Sequence, residues 1–420
     1  MYDDFKVFAT RTEFNFHSIK LPFLDTDKVV PMGLDIGYST VKVYSVFGTH
    51  IFPSFPIKVH NDLSLVNKET YIKYKDENDK LWYIGEMARK VIETGEIPTQ
   101  TKTLYGKQRI YSDEYLVLLR LGVFFGLLKK YDENGLEMAK NVKLKIMSGL
   151  PENYIKGDTK TLKERFHGHH SFKVQLGDHD WINVSFDIDM NDDDIQVISQ
   201  PFGTLWSLAA NRYGKVTNVD FLKKQVLIFD GGFHTVDTFY NMSGIGQGTS
   251  STWDDCAMHE VYRRTVRDIA KATNDQADIP IYMMDKYIDS DKPGEVFYGR
   301  KQKYQFRQDL LKNLEDVAKE AIRQLNTVYN HLLDIDILVI TGGTGKAFYP
   351  WFAREFESLE GLEVVLAEKT NGKNSIDNFD SVFANVIGYF NCLVSMIRNE
   401  TGYREEKETA TMVAATTENE

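Results

Sequence analysis

Apolar positions along this chain fall into two periods. Short runs rich in Val, Ile, Tyr and Phe predict strands at 32–36, 41–47, 50–57, 70–75, 81–84, 143–148, 172–176, 181–188, 195–199, 225–230, 235–241, 337–341 and 363–366. Stretches with apolar residues three or four apart predict helices at 86–93, 113–130, 158–166, 202–213, 252–272, 305–333, 347–357 and 381–398. The clearest stripe is Phe306, Leu310, Leu314, Val317, Ala321, Leu325, Val328 and Leu332. It runs through Asp334–Asp336 into the strand at 337–341. Strands alternating with helices in this way predict an α/β protein whose sheets are covered by helices.

The two ends behave differently. Residues 1–31 hold Phe5, Val7, Phe8, Phe14, Phe16 and Phe23 in loose alternation, too aromatic for a free tail, so they are expected to pack on the body or on a neighbour. Residues 402–420 are polar and are expected to be disordered. The most apolar helix, Tyr115–Leu128, contains Arg120 and two glycines. It is too short for a bilayer and reads as a buried core helix.

Composition narrows the picture. A chain of 420 residues, 42% apolar, has enough for large cores in two or three domains or one two-lobed body. The formal charge of −11 argues against a broad basic face that coats nucleic acid, although Arg263, Arg264 and Arg267 form a short basic patch. Cys256 and Cys392 are the only cysteines, and nothing in their spacing asks for a bridge, so a reducing cytoplasm is expected. The start, Met1-Tyr2-Asp3-Asp4, lacks the basic segment of a signal peptide, and no membrane association is expected.

Two segments repeat one motif. Aligning Asp35 with Asp230 places Gly37 on Gly232, Thr40 on Thr235 and Val41 on Val236. Each follows an apolar run and precedes β-type residues, which predicts strand, tight glycine turn, strand. Free backbone N–H groups at such a tip suit an anion, and the adjacent carboxylate suits a hydrated cation. A third element, Gly342-Gly343-Thr344-Gly345, follows the strand at 337–341 and leaves backbone bare at a strand's carboxyl end, where open α/β sheets bind ligands. One Asp-x-Gly-x-x-Thr is what an ordinary turn also looks like. Two in register, followed by the glycine element, point to a nucleotide gripped from both sides.

Two other clusters read as structural. Asp187-x-Asp189-x-Asn191 begins like a calcium loop, but Asp192 stands where the turn glycine belongs and Ile198 where the last glutamate belongs. His167, His169 and His170 lack a helically spaced partner for a metal and read as a surface strand start.

The order of the three glycine elements resembles the actin, heat-shock chaperone and sugar kinase superfamily. Within it the chain is similar to the ParM-like plasmid-segregating bacterial actins. Gly149-Leu150-Pro151 after a strand, the basic helix Lys160–Arg165, Gly244-Ile245-Gly246 after the second hairpin, and Phe383-Ala384-Asn385-Val386-Ile387-Gly388-Tyr389 near the end carry the likeness, over roughly residues 32–398. The resemblance implies an α/β, two-lobed actin-like (ribonuclease H-like) fold with duplicated sheet-and-helix domains and nucleotide in the interlobe cleft. It implies an N-terminal extension at 1–31, lobe I at 32–198, lobe II at 199–380, a helix at 381–401 returning to lobe I, and a tail at 402–420.

The resemblance also implies roles. Gly37, Tyr38, Ser39 and Thr40, with Lys42 nearby, would hold the β- and γ-phosphates from one lobe, and Gly231, Gly232, Phe233, His234 and Thr235 from the other. Asp35 and Asp230 would hold Mg²⁺ through its waters, with Asp230 also needed for turnover. Gly342, Gly343 and Thr344 would touch the adenosine, and His259, Glu260 and Arg263 on the helix at 252–272 would reach the base. His234 competes with a plain reading as an exposed turn side chain. Hydrolysis needs a polar group to place the attacking water. ParM has a glutamate one residue past the crossover proline, where this chain has Phe202; Gln200 is the long polar side chain at hand, as in eukaryotic actin. Gln200 equally suits a polar residue at a helix start.

The function implied is a filament-forming ATPase, assembling with itself in its ATP state and linked to plasmid DNA through a DNA-binding adaptor protein. A small-molecule kinase of the same superfamily is the alternative, but no acceptor-activating base or sugar pocket stands out. A chaperone-like ATPase needs a long substrate domain, and only about 75 residues follow Gly345. ATP and GTP both remain open.

Overall fold

The strand Val29–Ile36 is buried on both faces, and glycines explain how two helices come so close to it. On one side, Gly122 and Gly126 of the helix Asp113–Leu127 sit directly over Leu34 and Met32; a Cβ at these glycines would lie 2.5 and 2.7 Å from those side chains. On the other side, Gly33 faces the helix Ala384–Glu400, where a Cβ would lie 2.2 Å from the carbonyl oxygen of Val386. Each fully buried Val, Leu or Met here contributes about 1.5–3 kcal/mol by leaving water. The computed structural model describes residues 10–62, 68–93, 107–189, 194–242, 245–246, 250–369 and 378–403.

The first large sheet runs Glu13–Phe16, Gly48–Pro53, Thr40–Ser45, Val29–Ile36, Lys143–Leu150, Ile195–Ser199. Its first four strands pair antiparallel and its last two join parallel. The second large sheet repeats the plan: Val236–Met242 and Gln225–Gly231 form an antiparallel hairpin, and Ile337–Thr341 and Glu363–Leu366 join parallel. A separate five-stranded antiparallel sheet, built from residues between 56 and 188, rides on the first lobe. The duplicated α/β, two-lobed architecture is therefore present.

Where the two halves meet, the helix Gln200–Ala209 crosses the helix Ala384–Glu400. The crossing is glycine on glycine. A Cβ on Gly388 would lie 1.6 Å from the Gly203 carbonyl oxygen, and one on Gly203 would lie 2.4 Å from the ring of the buried Tyr389.

Several elements differ from the sequence reading. The helix expected to reach residue 130 stops at Leu127, and Leu128–Asp132 pairs instead with Gly135–Met138. The long helix spans Arg307–Val328, so Val328, expected in the core, is exposed at its end; the rest of the stripe is buried. The helix expected at 252–272 starts at Met258, because Ser251–Trp253 adds to the second sheet. The helix expected at 347–357 starts at Gly342, which makes the glycine element its first turn. His170 is buried, not a surface residue: Arg120 donates to its Nδ1 at 3.2 Å, and its Nε2 contacts the Phe166 carbonyl. Arg120 is also tied to Glu77 at 2.7 Å and Tyr74 at 2.8 Å, which explains a buried arginine in an apolar helix.

The N-terminal residues that are described do pack on the body, with Ile19 and Leu21 buried. Phe5, Val7 and Phe8, most of the acidic loop after Asp189, and the tail from residue 404 lie outside the described residues. Both cysteines are buried and unbridged. Among the described residues one helix, Ser381–Glu400, is long and apolar enough to cross a membrane, and 78% of its apolar stretch is buried inside the fold.

Candidate functional site

The two acid-glycine motifs fold into the same turn. In each, a Cβ on the glycine would lie 2.9 Å from the carbonyl oxygen of the threonine three residues on: Gly37 against Thr40, Gly232 against Thr235. The tips face each other across one cavity of about 510 Å³ between the lobes. Asp35, Gly37, Tyr38, Ser39, Thr40 and Lys42 line it from the first lobe. Asp230, Gly232, Phe233 and Thr235 line it from the second, and Gly342, Gly343 and Thr344 lie on the same wall. Gln200 lines it at the start of the crossover helix.

The helix Gly342–Glu355 aims its first turn into this cavity, which places unpaired N–H groups and the positive end of a helix there. Gly342 holds φ +78°, a conformation that favours glycine, and a Cβ on it would lie 2.4 Å from the Gly231 carbonyl oxygen. Gly231 in turn packs beneath Gly345, so it serves the wall from behind rather than lining the cavity. Thr344 Oγ1 donates to the Gly232 carbonyl at 2.5 Å and ties the helix start to the second hairpin.

Acidic groups converge on the floor. Lys42 Nζ donates to Asp35 Oδ2 at 3.0 Å, and Gln200 Nε2 lies 3.4 Å from Asp35 Oδ1. Asn385 Nδ2 donates to Asp230 Oδ2 at 2.6 Å, while Thr204 donates to Asn385 Oδ1 at 2.7 Å. Burial raises the Asp230 pKa to about 6; the Asn385 hydrogen bond and Lys42 oppose the shift and Asp35 adds to it. Asp237 is raised further, to about 7, by burial first, with Asp230 adding and the hydrogen bond from Thr252 opposing. Asp237 lies directly across the hairpin from Asp230, as Lys42 lies across from Asp35. The alignment of the two motifs therefore puts a lysine and an aspartate at equivalent positions, and the second hairpin has no cation of its own to balance its two carboxylates.

Among the described residues no three His, Cys, Asp or Glu side chains gather closely enough to ligate a metal directly. Three carboxylates around one cavity, two of them held at raised pKa by burial, suit a divalent cation that keeps its water shell. The donor set thus fits Mg²⁺ held through water and not by an all-protein cage.

Five expected residues lie away from the cavity wall, His259 among them. Gly231 is another. His234 is not an exposed turn residue: it is half-buried between Tyr38 and His259, with ring centroids 5.0 and 5.1 Å away, and burial lowers its pKa. Glu260 and Arg263 are paired with each other, and Glu260 also receives Arg264 at 2.7 Å. Their helix offers Met258 and Tyr262 to the cavity in their place. Phe202 packs on Trp206 and Phe239 and does not line the cavity. Sequence reasoning missed Asp237 and Asn385. The first was available in the alignment that matched the motifs; the second stood inside the terminal segment already singled out.

Residues 33–203 match the family model of the N-terminal domain of actin-like proteins. Among solved structures, the chain is similar to a 15-stranded ParM filament from Clostridium botulinum (18% identity, TM-score 0.65, covering 87% of this chain and 99% of that one). It is also similar to an archaeal actin homologue in complex with ADP (17%, 0.57, 86% and 98%) and to Bacillus thuringiensis ParM with ATP (13%, 0.53, 89% and 100%). The fold is that of the ParM-like bacterial actins. No curated protein matches this chain. The cavity thus lies between the two lobes of this fold, with Gln200 and Asn385 of the two crossing helices on its wall.

Proposed function

We propose that this protein is a nucleotide-dependent, filament-forming actin-like ATPase. The observation that carries the reading is the pair of equivalent acid-glycine turns facing each other across one cavity, with a glycine-started helix aimed into it. That arrangement suits a nucleoside triphosphate. The N–H groups of both turns surround the phosphates, Lys42 adds a positive charge, and Gly343, with open space where a Cβ would be, leaves room for the nucleoside. Asp35, Asp230 and Asp237 would hold hydrated Mg²⁺, which would supply positive charge to neutralise the phosphates.

Gln200 is the candidate that positions the attacking water. It stands at the first turn of the crossover helix, and its side chain lies against Asp35. The opposite side of the site is fixed by Asn385, which stands on the second crossing helix and donates to Asp230. Because each crossing helix carries one of these contacts, a change in the phosphates shifts the angle between the lobes. That angle sets the outer surfaces through which copies of this chain assemble. We further propose that the filament works in the cytoplasm and segregates plasmid DNA through a DNA-binding adaptor; the acidic charge of −11 favours such an indirect link.

The test is sedimentation of the full chain with Mg-ATP, Mg-GTP or no nucleotide, beside a fluorescent-nucleotide titration with and without magnesium. Pelleting only with nucleotide supports the reading. Saturated binding with no pelleting overturns the filament and leaves a kinase-type site.

A further inference from the structure

The chain reaches the mouth of the cleft before the first hairpin begins. Thr10, Arg11 and Glu13 line the same cavity as the two turns, although they precede the residues matched by the family model. The strand Glu13–Phe16 anchors this segment by pairing with Gly48–Pro53 in the first lobe. The Thr12 N–H donates to Glu86 Oε1 at 2.8 Å, also in the first lobe. The two residues before it reach the other way. Thr10 Oγ1 donates to Asp285 Oδ2 at 2.6 Å, and Arg11 pairs with Asp289 at 3.0 Å, both in the second lobe.

Asp285 is the hub of this crossing. It accepts from Arg89 of the first lobe at 2.7 Å and from the Tyr262 hydroxyl of the second at 2.9 Å. Arg89 also donates to Thr10 at 3.1 Å, so strap and ion pair act as one unit. Beside them Phe55 of the first lobe stacks on Tyr282 of the second, with centroids 5.3 Å apart. Arg11 and Asp289 are partly exposed, so water replaces their ion pair readily, while Thr10 adds a single hydroxyl bond to the buried Asp285. The glycine crossing at the floor is the opposite: backbone packed on backbone, built to stay.

We propose that residues 10–13 are a latch over the nucleotide, closing the mouth of the cleft by tying the first lobe to Asp285 and Asp289. The latch rests on the reading of the cavity as a nucleotide site. Nucleotide then leaves only when Thr10 and Arg11 release the second lobe, and the latch sets the exchange rate.

The experiment follows release of a fluorescent ADP from the full-length chain, chased with unlabelled ADP in a stopped-flow instrument. Thr10→Val removes the hydroxyl donor at nearly constant shape. Arg11→Asp reverses a surface charge, and the double variant Arg11→Asp, Asp289→Arg restores the pair in the opposite sense. Thr10→Val combined with Arg11→Asp is expected to release ADP about tenfold faster, the effect of losing one hydrogen bond and one partly exposed ion pair across the mouth. The charge swap is expected to return release to within about twofold of the unsubstituted chain, which a merely structural disturbance would not do. Wild-type chain that holds ADP, with every variant releasing it at the same rate, overturns the latch alone. A wild-type chain that takes up no ADP overturns the nucleotide reading, and the latch with it.

Discussion

Replacing Gly388 by Ala puts a methyl group into the crossing of the two interlobe helices. An ideal Cβ there lies 1.6 Å from the Gly203 carbonyl oxygen and 2.4 Å from its carbon, where real Cβ atoms essentially never come within 3.0 Å. The obstacle is backbone, so no rotamer change relieves it, and the helices must part by more than an ångström. Overpacking of this kind costs about 1–3 kcal/mol, and rigid backbone on both sides puts this case at the upper end or above. The displacement also reaches the site, because Gln200 and Asn385 stand on the two helices that part. Losing the 2.6 Å bond from Asn385 to the buried Asp230 carboxylate removes a charge-assisted hydrogen bond, worth about 1.5–3 kcal/mol. Urea unfolding should show a loss of about 3 kcal/mol or more, and nucleotide titration a loss of affinity of about tenfold or more. Gly343→Ala is the control for stability, since a Cβ there meets nothing within 4 Å. If Gly388→Ala unfolds at the wild-type midpoint and binds nucleotide unchanged, the crossing does not couple the lobes to the site.

Three further outcomes follow from the same geometry. Asp230→Ala should weaken Mg-nucleotide binding and stop turnover, at a cost of about 2–4 kcal/mol in binding and catalysis together; unchanged affinity and phosphate release would leave the second hairpin a plain turn. Gln200→Ala should leave binding and assembly intact but slow phosphate release by about 10²-fold, so filaments persist after a nucleotide pulse; disassembly at the wild-type rate would show that Gln200 only starts a helix. In the nucleotide-free chain, Asp230 and Asp237 titrate at about 6 and about 7, above their unfolded value of 3.8. Between these values the folded chain binds more protons than the unfolded one. Their contribution to stability is therefore fully present below about pH 4 and is lost as pH rises through about 6 and 7. Unfolding measured stepwise over that range should fall less steeply for Asp237→Asn than for wild type, and an equal slope would mean that Asp237 is not held protonated by burial.

Local pattern carried most of the fold. The two hairpins were legible because a glycine turn after an apolar run is a short-range signal, and the helix at 86–93 because its period is short-range too. What failed depends on distant partners. Residues 128–130 look helical until Gly135–Met138 offers them a strand to pair with. The edge strand Glu13–Phe16 takes its place from Gly48–Pro53, far along the chain. At the site, the tips of the hairpins were readable, but Asp237 and Asn385 matter through what they face across the cleft. Glu260 and Arg263, which the resemblance offered for the base, pair with each other on their own helix and do not line the cavity, a contact that motif order alone does not reveal. The latch at Thr10 and Arg11 was not legible, because its partners Asp285 and Asp289 stand in an unremarked acidic stretch some 275 residues later.

The central claim is that one site binds nucleotide and, through lobe closure, drives assembly. It is tested most directly by recording light scattering and phosphate release together after Mg-ATP or Mg-GTP is added to the full chain over a range of protein concentrations. The account predicts that scattering rises above a critical concentration, that phosphate release follows it, and that scattering decays as the nucleotide is spent. Scattering that stays flat at high concentration while nucleotide is demonstrably bound would contradict it.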